Sequence, residues 1–168
     1  MPYTALLDPL GWKILDQLQR DARLSYSEIG RRVGLSTPAV RERVARMEES
    51  GLIAGYHAAV DPALAGYPVS AFIRVTVAGD ERTARKLAAG VAGWPEVREC
   101  HRCTGDHAFF LKVDAPSIAA LEGLIDRLTP YGMTSTSLIL SSPQRRSVLL
   151  PPDTPQAGTR PSRRRRAG

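Results

Sequence analysis

The sequence has few cysteines and no long apolar run, and each shortage excludes a class of protein. Only 2 of its 168 residues are cysteine, too few for a disulfide framework, so a reducing cytoplasm is the expected compartment. The best apolar stretch, Val69 to Ala78, is interrupted by Arg74 and is too short to span a bilayer. The N-terminus lacks the basic and apolar regions of a secretory signal. We therefore expect neither a signal peptide nor a membrane span.

Motifs of the common enzyme classes are also missing: there is no nucleophile elbow, phosphate-binding loop or paired-carboxylate motif. One segment, Cys100-His101-Arg102-Cys103, is similar to a metal or redox motif. On a strand, however, Cys100 and Cys103 lie on opposite faces and cannot bind one ion together. No helix N-terminus precedes them to lower a thiol pKa. The sequence thus predicts no catalysis, no metal site and no cofactor.

Positive charge is in excess but unevenly distributed. The net charge of +6 and the pI near 9.8 favour a polyanionic partner. Residues 151–168 contain five arginines, Arg160 and Arg163 to Arg166, against Asp153 alone. This Pro-rich stretch has no apolar periodicity and is predicted to be a disordered basic tail. It is either an arm that neutralises DNA phosphates or a solvated end that aids solubility.

Residues 1–54 carry the signals of three helices joined by short turns. Asp8-Pro9, Ser25 with Glu28, and Thr37-Pro38 predict the three starts, and Gly34 and Gly51 predict the ends of the second and third. Apolar residues at helical spacing mark the inward faces: Leu10, Ile14, Leu15 and Leu18, then Ile29 and Val33, then Val40, Val44 and Met47.

The third helix then presents a charged outer face made of Arg41, Glu42, Arg43 and Arg46, with Thr37 and Ala39 on its leading turn. Arginine suits a DNA-reading helix because its guanidinium can contact guanine bidentately or bind a phosphate. Spacing alone leaves two interpretations open. The segment is either a helix-turn-helix with its recognition helix in the major groove, or a small three-helix bundle with a solvated face.

The pattern changes after a connector at residues 55–68, which is extended and then punctuated by proline and glycine. From Val69 apolar residues alternate, as in a strand with one apolar face. A helix over 80–92, strands over 97–103 and 107–113, a helix capped by Ser117 and a strand over 134–140 follow. The inward positions of the two helices are Ala84, Leu87, Ala88 and Val91, then Ile118, Leu121, Leu124, Ile125 and Leu128. The order βαββαβ predicts a ferredoxin-like, antiparallel α+β domain over residues 69–150.

Beyond these patterns, the run VGLSTPAVRERVARMEESGLIAGY within residues 8–68 closely resembles the leucine-responsive regulatory protein/asparagine-operon regulator (Lrp/AsnC) family. The resemblance continues through ECHRCTGDHAFFLKV and TSTSLIL. It implies an N-terminal winged helix-turn-helix that binds double-stranded DNA, a hinge strand, and a C-terminal ferredoxin-like domain for dimerisation and amino-acid sensing. It also implies a cytoplasmic transcription regulator that is at least a homodimer and assembles further, for example into an octameric ring.

The family resemblance also implies an effector site for a small polar metabolite such as an amino acid, at Thr104, Gly105, Asp106 and His107 with the hydroxyls of Thr134 and Thr136. The alternative is that residues 104–106 are only a hairpin turn. The chain departs from the family twice. Gly11 stands where an acidic residue is common, and Ala108 where the sensing turn often has a second carboxylate.

A second class of protein, the sirohaem decarboxylases, has a similar two-part architecture. Sirohaem decarboxylases rely on histidine and arginine near a tetrapyrrole carboxylate, and this chain has His101, Arg102 and His107 in the corresponding domain. The arginine-bearing third helix favours the regulator, because an enzyme would not require it.

Overall fold

The computed structural model describes residues 6–78, 81–144 and 147–152, which form two compact units. The first unit contains the chain up to His57 together with the described residues from Gln144 onward, and the second is Ala58–Pro143. Residues 144 and 147–150, expected in the second domain, thus group with the first unit. The basic residues predicted to form an arm lie outside the described residues.

Three helices form the first unit: α1 (Pro9–Arg20), α2 (Tyr26–Val33) and α3 (Thr37–Glu49). The caps predicted at Asp8 and Ser25 are confirmed. The Asp8 carboxylate accepts a hydrogen bond from the Gly11 amide at 2.6 Å, and Ser25 and Glu28 form both hydrogen bonds of a capping box. Ser36 caps α3, and Gly34 ends α2 in the left-handed conformation.

The inward faces predicted for these helices are confirmed by burial. Side chains from all three are completely buried, among them Ile14, Ile29, Val40, Val44 and Met47. Burying each such side chain contributes roughly 1.5–3 kcal/mol. This core fixes the orientation of α3, because Val40, Val44 and Met47 occupy its inward side.

Two glycines are required by close backbone contacts. A Cβ atom on Gly30 would lie 2.5 Å from the Leu35 carbonyl oxygen, so glycine is what lets the turn from α2 into α3 close tightly. A Cβ atom on Gly11 would lie 1.9 Å from the Leu6 carbonyl oxygen. The acidic residue common in the family at this position therefore does not fit the backbone of this chain.

Residues 52–68, all of which the structure describes, contain turns but no strand. The hinge strand and the wing implied by the resemblance are therefore not formed within this single chain. The physical reason is that a strand needs a second strand to satisfy its backbone hydrogen bonds. Instead, the Ile53 amide donates to the Met47 carbonyl, and the Tyr56 hydroxyl donates to Glu48, so this part of the chain returns to α3.

The second unit has the predicted βαββαβ order. Its elements are β1 (Val69–Val77), α4 (Glu81–Val91), β2 (Val97–Arg102), β3 (Phe109–Ala115), α5 (Ile118–Leu128), a short 3-10 turn (Thr129–Tyr131) and β4 (Gly132–Leu138). The strands form one antiparallel sheet in the order β2-β3-β1-β4. The bounds of β3 and β4 differ from the predicted ones because pairing with β1 sets them: Val69 lies opposite Ala115, and Val77 opposite Gly132.

One face of the sheet is buried and the other is open. Ala71, Ile73 and Val75 of β1 are fully buried against α4 and α5, together with Leu111 and Val113 of β3. The open face carries the alternate residues of the same strands. Among the described residues, no helix is long and apolar enough to cross a membrane.

Two predicted inward positions are wrong. Ala88 is exposed, because Leu87 takes the inward position and the next residue is rotated about 100° away from it. Ile118 begins α5 and is 58% exposed, whereas Leu121, one turn later, is buried. The remaining predicted positions of the two helices, such as Ala84 and Leu124, are buried or half-buried.

Candidate nucleic-acid interface and effector site

The outward side of α3 carries charged side chains that are open to solvent. Arg41, Glu42 and Arg46 are exposed, while Thr37 and Ala39 are half-buried on the first turn. Within the described residues, neither Arg41 nor Arg46 has a carboxylate partner. Their guanidinium donors are therefore available to acceptors from another molecule. The charged surface next to them includes a shallow depression lined by Thr37, Pro38, Arg41, Glu42 and Ala45.

Arg43, expected to act with these arginines, instead has a partner within the chain. Its two terminal nitrogens each lie 3.0 Å from a different oxygen of Asp8, the residue that caps α1. Arg43 is also half-buried. The bidentate ion pair connects α3 to the start of α1. The structure thus gives Arg43 a structural role, and only Arg41 and Arg46 remain as free cations among the predicted arginines.

The same contacts perturb the titration of Asp8. The Gly11 amide, followed by the Arg43 guanidinium, lowers the pKa of Asp8 below its ordinary value of 3.8. A lowered carboxylate pKa stabilises the fold above that ordinary value. The contribution is complete at neutral pH and is lost as the pH falls through the folded-state pKa.

We expect Arg43→Ala to destabilise the first unit without removing DNA binding. The loss should be about 1 kcal/mol, because the pair is bidentate but partly exposed. Asp8→Ala loses the same pair as well as the helix cap, so the two substitutions together should cost less than the sum of their separate effects. Thermal unfolding of the four proteins measures this coupling. Strictly additive losses, with weaker DNA binding by the folded Arg43→Ala protein, would contradict the structural role.

The predicted effector residues Thr104 to His107 form the turn between β2 and β3. The Thr76 hydroxyl donates to the Asp106 carbonyl oxygen at 3.1 Å, and it lies 2.8 Å from Nδ1 of His107. Thr76 thus contacts both the backbone and the side chain of the turn. The His107 ring also meets Phe110 edge-on at 6.1 Å. These contacts hold the turn against β1 on the open face of the sheet.

The turn presents groups that can bind a polar molecule. The side chains of Thr104 and Asp106 are exposed, and Gly105 has a positive φ of 102°. The turn therefore offers a carboxylate acceptor and a hydroxyl at the surface. Ala108, where the family often has a second carboxylate, is half-buried and packs against the core of the second unit. Asp106 is thus the one carboxylate within this turn.

Thr134 and Thr136 are not brought to the turn by the register of the sheet. Thr134 lies opposite Val75, and Thr136 opposite Ile73, and both of these partners are buried on the helix-covered face. Thr76, which holds the turn, belongs to the open face because side chains alternate along β1. The structure therefore does not bring the two threonines together with the turn within one chain. Sequence reasoning missed Thr76, although its alternation with Phe72 and Arg74 places it on that face.

The cysteine and histidine residues of β2 form no shared site. Cys100 lies opposite Leu111, and His101 opposite Phe110, on different faces of the sheet. His101 is 3.1 Å from Glu99, and the pKa of the Cys100 thiol is raised by partial burial and by Cys103, unlike that of a reactive thiolate. Among the described residues, no group of three or more histidine, cysteine or acidic side chains is placed to hold a metal ion.

Comparisons with known proteins identify both units. The AsnC-type helix-turn-helix domain matches residues 7–48, and the Lrp/AsnC ligand-binding domain matches residues 70–149. The chain belongs to the Lrp/AsnC family of transcription regulators. The regulator LrpC of Bacillus subtilis is 35% identical over 135 residues, which are 80% of this chain and 92% of LrpC.

Solved structures agree with this assignment. The structure of B. subtilis LrpC superposes with a TM-score of 0.76, at 35% identity, covering 83% of this chain and 99% of LrpC. The regulator NMB0573 from Neisseria meningitidis, solved as a complex with L-Met, superposes with a TM-score of 0.80 at 28% identity, covering 85% of this chain and 96% of that one. These matches support an Lrp/AsnC regulator and not the sirohaem decarboxylase-like alternative. In keeping with this, His101 and Arg102 are adjacent on β2 and lie on opposite faces.

Proposed function

We propose that this Lrp/AsnC regulator reads double-stranded DNA with the outward side of α3. The observation that carries the proposal is the exposure of Arg41 and Arg46, both without carboxylate partners among the described residues. They lie five residues apart, about 7.5 Å along the helix axis and about 140° around it, so they flank Glu42 on the outward side of α3. Both guanidinium groups can therefore reach base edges or phosphates within one half-site.

The other residues of this face have complementary roles. Glu42 can accept a hydrogen bond from the amino group of cytosine, which favours that base. Its carboxylate also repels phosphates, which weakens binding to DNA of any sequence. Thr37 and Ala39, at the start of α3, can contact a thymine methyl group or the backbone. Genomic footprinting of the tagged protein tests this function, and we expect protected sites next to genes.

We further propose that the protein is a homodimer in the cytoplasm, formed through the open face of the sheet. Phe72 is 45% exposed there, and Phe110, opposite Arg74 on the neighbouring strand, lies diagonally across from it. Two recognition helices in a dimer bind half-sites about 34 Å apart on one face of DNA. We also propose that these dimers assemble further, for example into an octamer.

The effector proposed for the second unit is an amino acid bound at the turn of residues 104–107. The exposed carboxylate of Asp106 can accept hydrogen bonds from the ammonium group, and Thr104 offers a hydroxyl. Because NMB0573 was solved with L-Met, methionine is the first amino acid to test. Thr134 and Thr136 are left out of this proposal for a site within one chain.

A thermal-shift screen of the amino acids should find one that stabilises the protein. At 100 times its dissociation constant, a ligand bound by the native state alone adds about 2.7 kcal/mol, which raises the Tm of a domain of this size by roughly 10 °C or more. Asp106→Asn should remove the shift, and Asp126→Asn, at another exposed aspartate, should keep it. An unchanged response in Asp106→Asn would place the effector elsewhere, and no shift with any amino acid would point to a different class of effector.

A further inference from the structure

A groove in the first unit lies between α1, the end of α2 and the described residues 149–151 of the C-terminal segment. It has a volume of about 510 Å³, which is the size of sites that hold small molecules. Its apolar lining comes from each of these three parts and includes Pro9, Trp12, Val33, Leu149 and Leu150. The groove is therefore large enough and apolar enough to hold an organic molecule.

The C-terminal wall of the groove is held in place by Gln19 of α1. The side-chain nitrogen of Gln19 donates to the Leu149 carbonyl oxygen at 3.1 Å, and the Leu149 amide donates to the side-chain oxygen of Gln19 at 2.7 Å. These hydrogen bonds use the backbone of Leu149 and leave the apolar side chains of the wall open, since Leu149 is 72% exposed and Leu150 is 51% exposed. An apolar molecule that enters the groove removes this surface from water.

Two cations, Lys13 and Arg32, line the same groove, and neither forms an ion pair among the described residues. Arg32 donates to the side-chain oxygen of Gln17 at 2.8 Å, which leaves its charge without a counterion. The Asp16 carboxylate also lines the groove, but Arg20 already binds it, with Nε 2.9 Å from each oxygen. Positive charge is therefore in excess beside the apolar surface.

We propose that this groove binds an organic anion with an apolar body, such as a monocarboxylic acid. The hydrocarbon part packs against Trp12 and Leu150, and the carboxylate accepts hydrogen bonds from Lys13 and Arg32. A free amino acid does not match this charge pattern, because its ammonium group would approach two cations while the Asp16 carboxylate is already occupied. The groove is thus a second small-molecule site, which differs in its chemistry from the effector turn and lies in the unit that contains α3.

The test compares three probes that share one apolar chain and differ in charge: octanoate, 1-octanol and octylammonium. Each is added, below the concentration at which it forms micelles, to the full-length protein labelled with fluorotryptophan, and binding is followed by fluorine NMR. The chain has two tryptophans, and Trp94 lies in the second unit, so its signal is an internal reference for that of Trp12. We expect octanoate to shift the Trp12 signal alone. It should bind about tenfold or more tightly than 1-octanol, and octylammonium should bind more weakly than either, because only the anion gains charged hydrogen bonds.

Replacing both cations of the groove, in the Lys13→Ala/Arg32→Ala variant, should lower the affinity for octanoate about tenfold or more. Both side chains are exposed, so the fold should not change, and an unchanged affinity for 1-octanol shows that the groove is intact. The matched control is Arg23→Ala with Arg31→Ala, which removes the same charge from exposed positions of the first unit outside the groove. The control should bind octanoate as the wild type does.

Four results would overturn the proposal. Equal binding of the three probes would show an apolar surface without selection for anions, and wild-type affinity for octanoate in the Lys13→Ala/Arg32→Ala variant would exclude both cations from the site. A Trp12 signal that responds to methionine as strongly as to octanoate would make the groove a site for amino acids. A signal that ignores octanoate would leave the groove without this ligand, and its dependence on protein concentration would then assign the groove to a second copy of the chain.

Discussion

Replacing Arg41 and Arg46 together with alanine should remove most of the preference of the protein for its operator. A base-reading arginine contributes roughly 1–3 kcal/mol, so the loss of two corresponds to a fall in operator affinity of about 30-fold to more than a thousandfold. Both side chains are exposed and unpaired among the described residues, so the fold should not change. The measurement is the ratio of affinities for operator and unrelated DNA at one salt concentration.

The matched control is Arg82→Ala with Arg85→Ala on α4, which removes the same charge from exposed positions in the second unit. This variant should keep the wild-type ratio. If the α3 variant lost affinity equally for every sequence, Arg41 and Arg46 would be phosphate contacts and another element would read the bases. Wild-type affinity for the operator would remove α3 from the interface altogether.

Placing aspartate at both Phe72 and Phe110 should convert the dimer into monomers. Each ring is partly exposed in the single chain, and covering the remainder contributes about 1 kcal/mol. Two rings from each protomer then contribute about 4 kcal/mol, so the dimer dissociation constant should rise about a thousandfold or more. The new carboxylates add the free-energy cost of burying unpaired charge. Light scattering at micromolar concentration measures the change.

Ile118→Asp is the control, because Ile118 is 58% exposed at the start of α5 and lies off the open sheet face. It should remain a dimer. Circular dichroism should show that both variants are folded. A wild type that is monomeric, or a double variant that stays dimeric, would exclude the open sheet face as the dimer interface.

The fold follows from the sequence where the signals are local. The caps at Asp8, Ser25 and Ser117 and the burial of residues such as Val40 depend on neighbours a few positions away. Such contacts leave clear patterns in the sequence, and the predicted order of elements is confirmed for this reason. Ala88 is an exception, since alanine carries too weak an apolar preference to identify the face on which it lies.

The details of the sites depend on contacts between residues far apart in the chain. Arg43 has the pattern of a DNA-reading residue, but Asp8 binds it from 35 positions away. The Gln19 side chain likewise exchanges two hydrogen bonds with the backbone of Leu149, 130 positions away. The face on which Thr134 and Thr136 lie depends on the pairing of β4 with β1, which is not visible in the sequence, because a shift of one residue exchanges the two faces of a strand. Residue types predict the chemistry available, and the register decides which side chains share a site.

Selection of binding sites from a pool of random DNA duplexes by the full-length protein tests the central claim most directly. We predict an enriched sequence with two related half-sites whose centres lie one helical turn, about 10–10.5 base pairs, or a multiple of it apart. The same selection with the Arg41→Ala protein should lose the preference at one position of each half-site. A pool that stays random after selection by the wild type would contradict sequence-specific binding by α3.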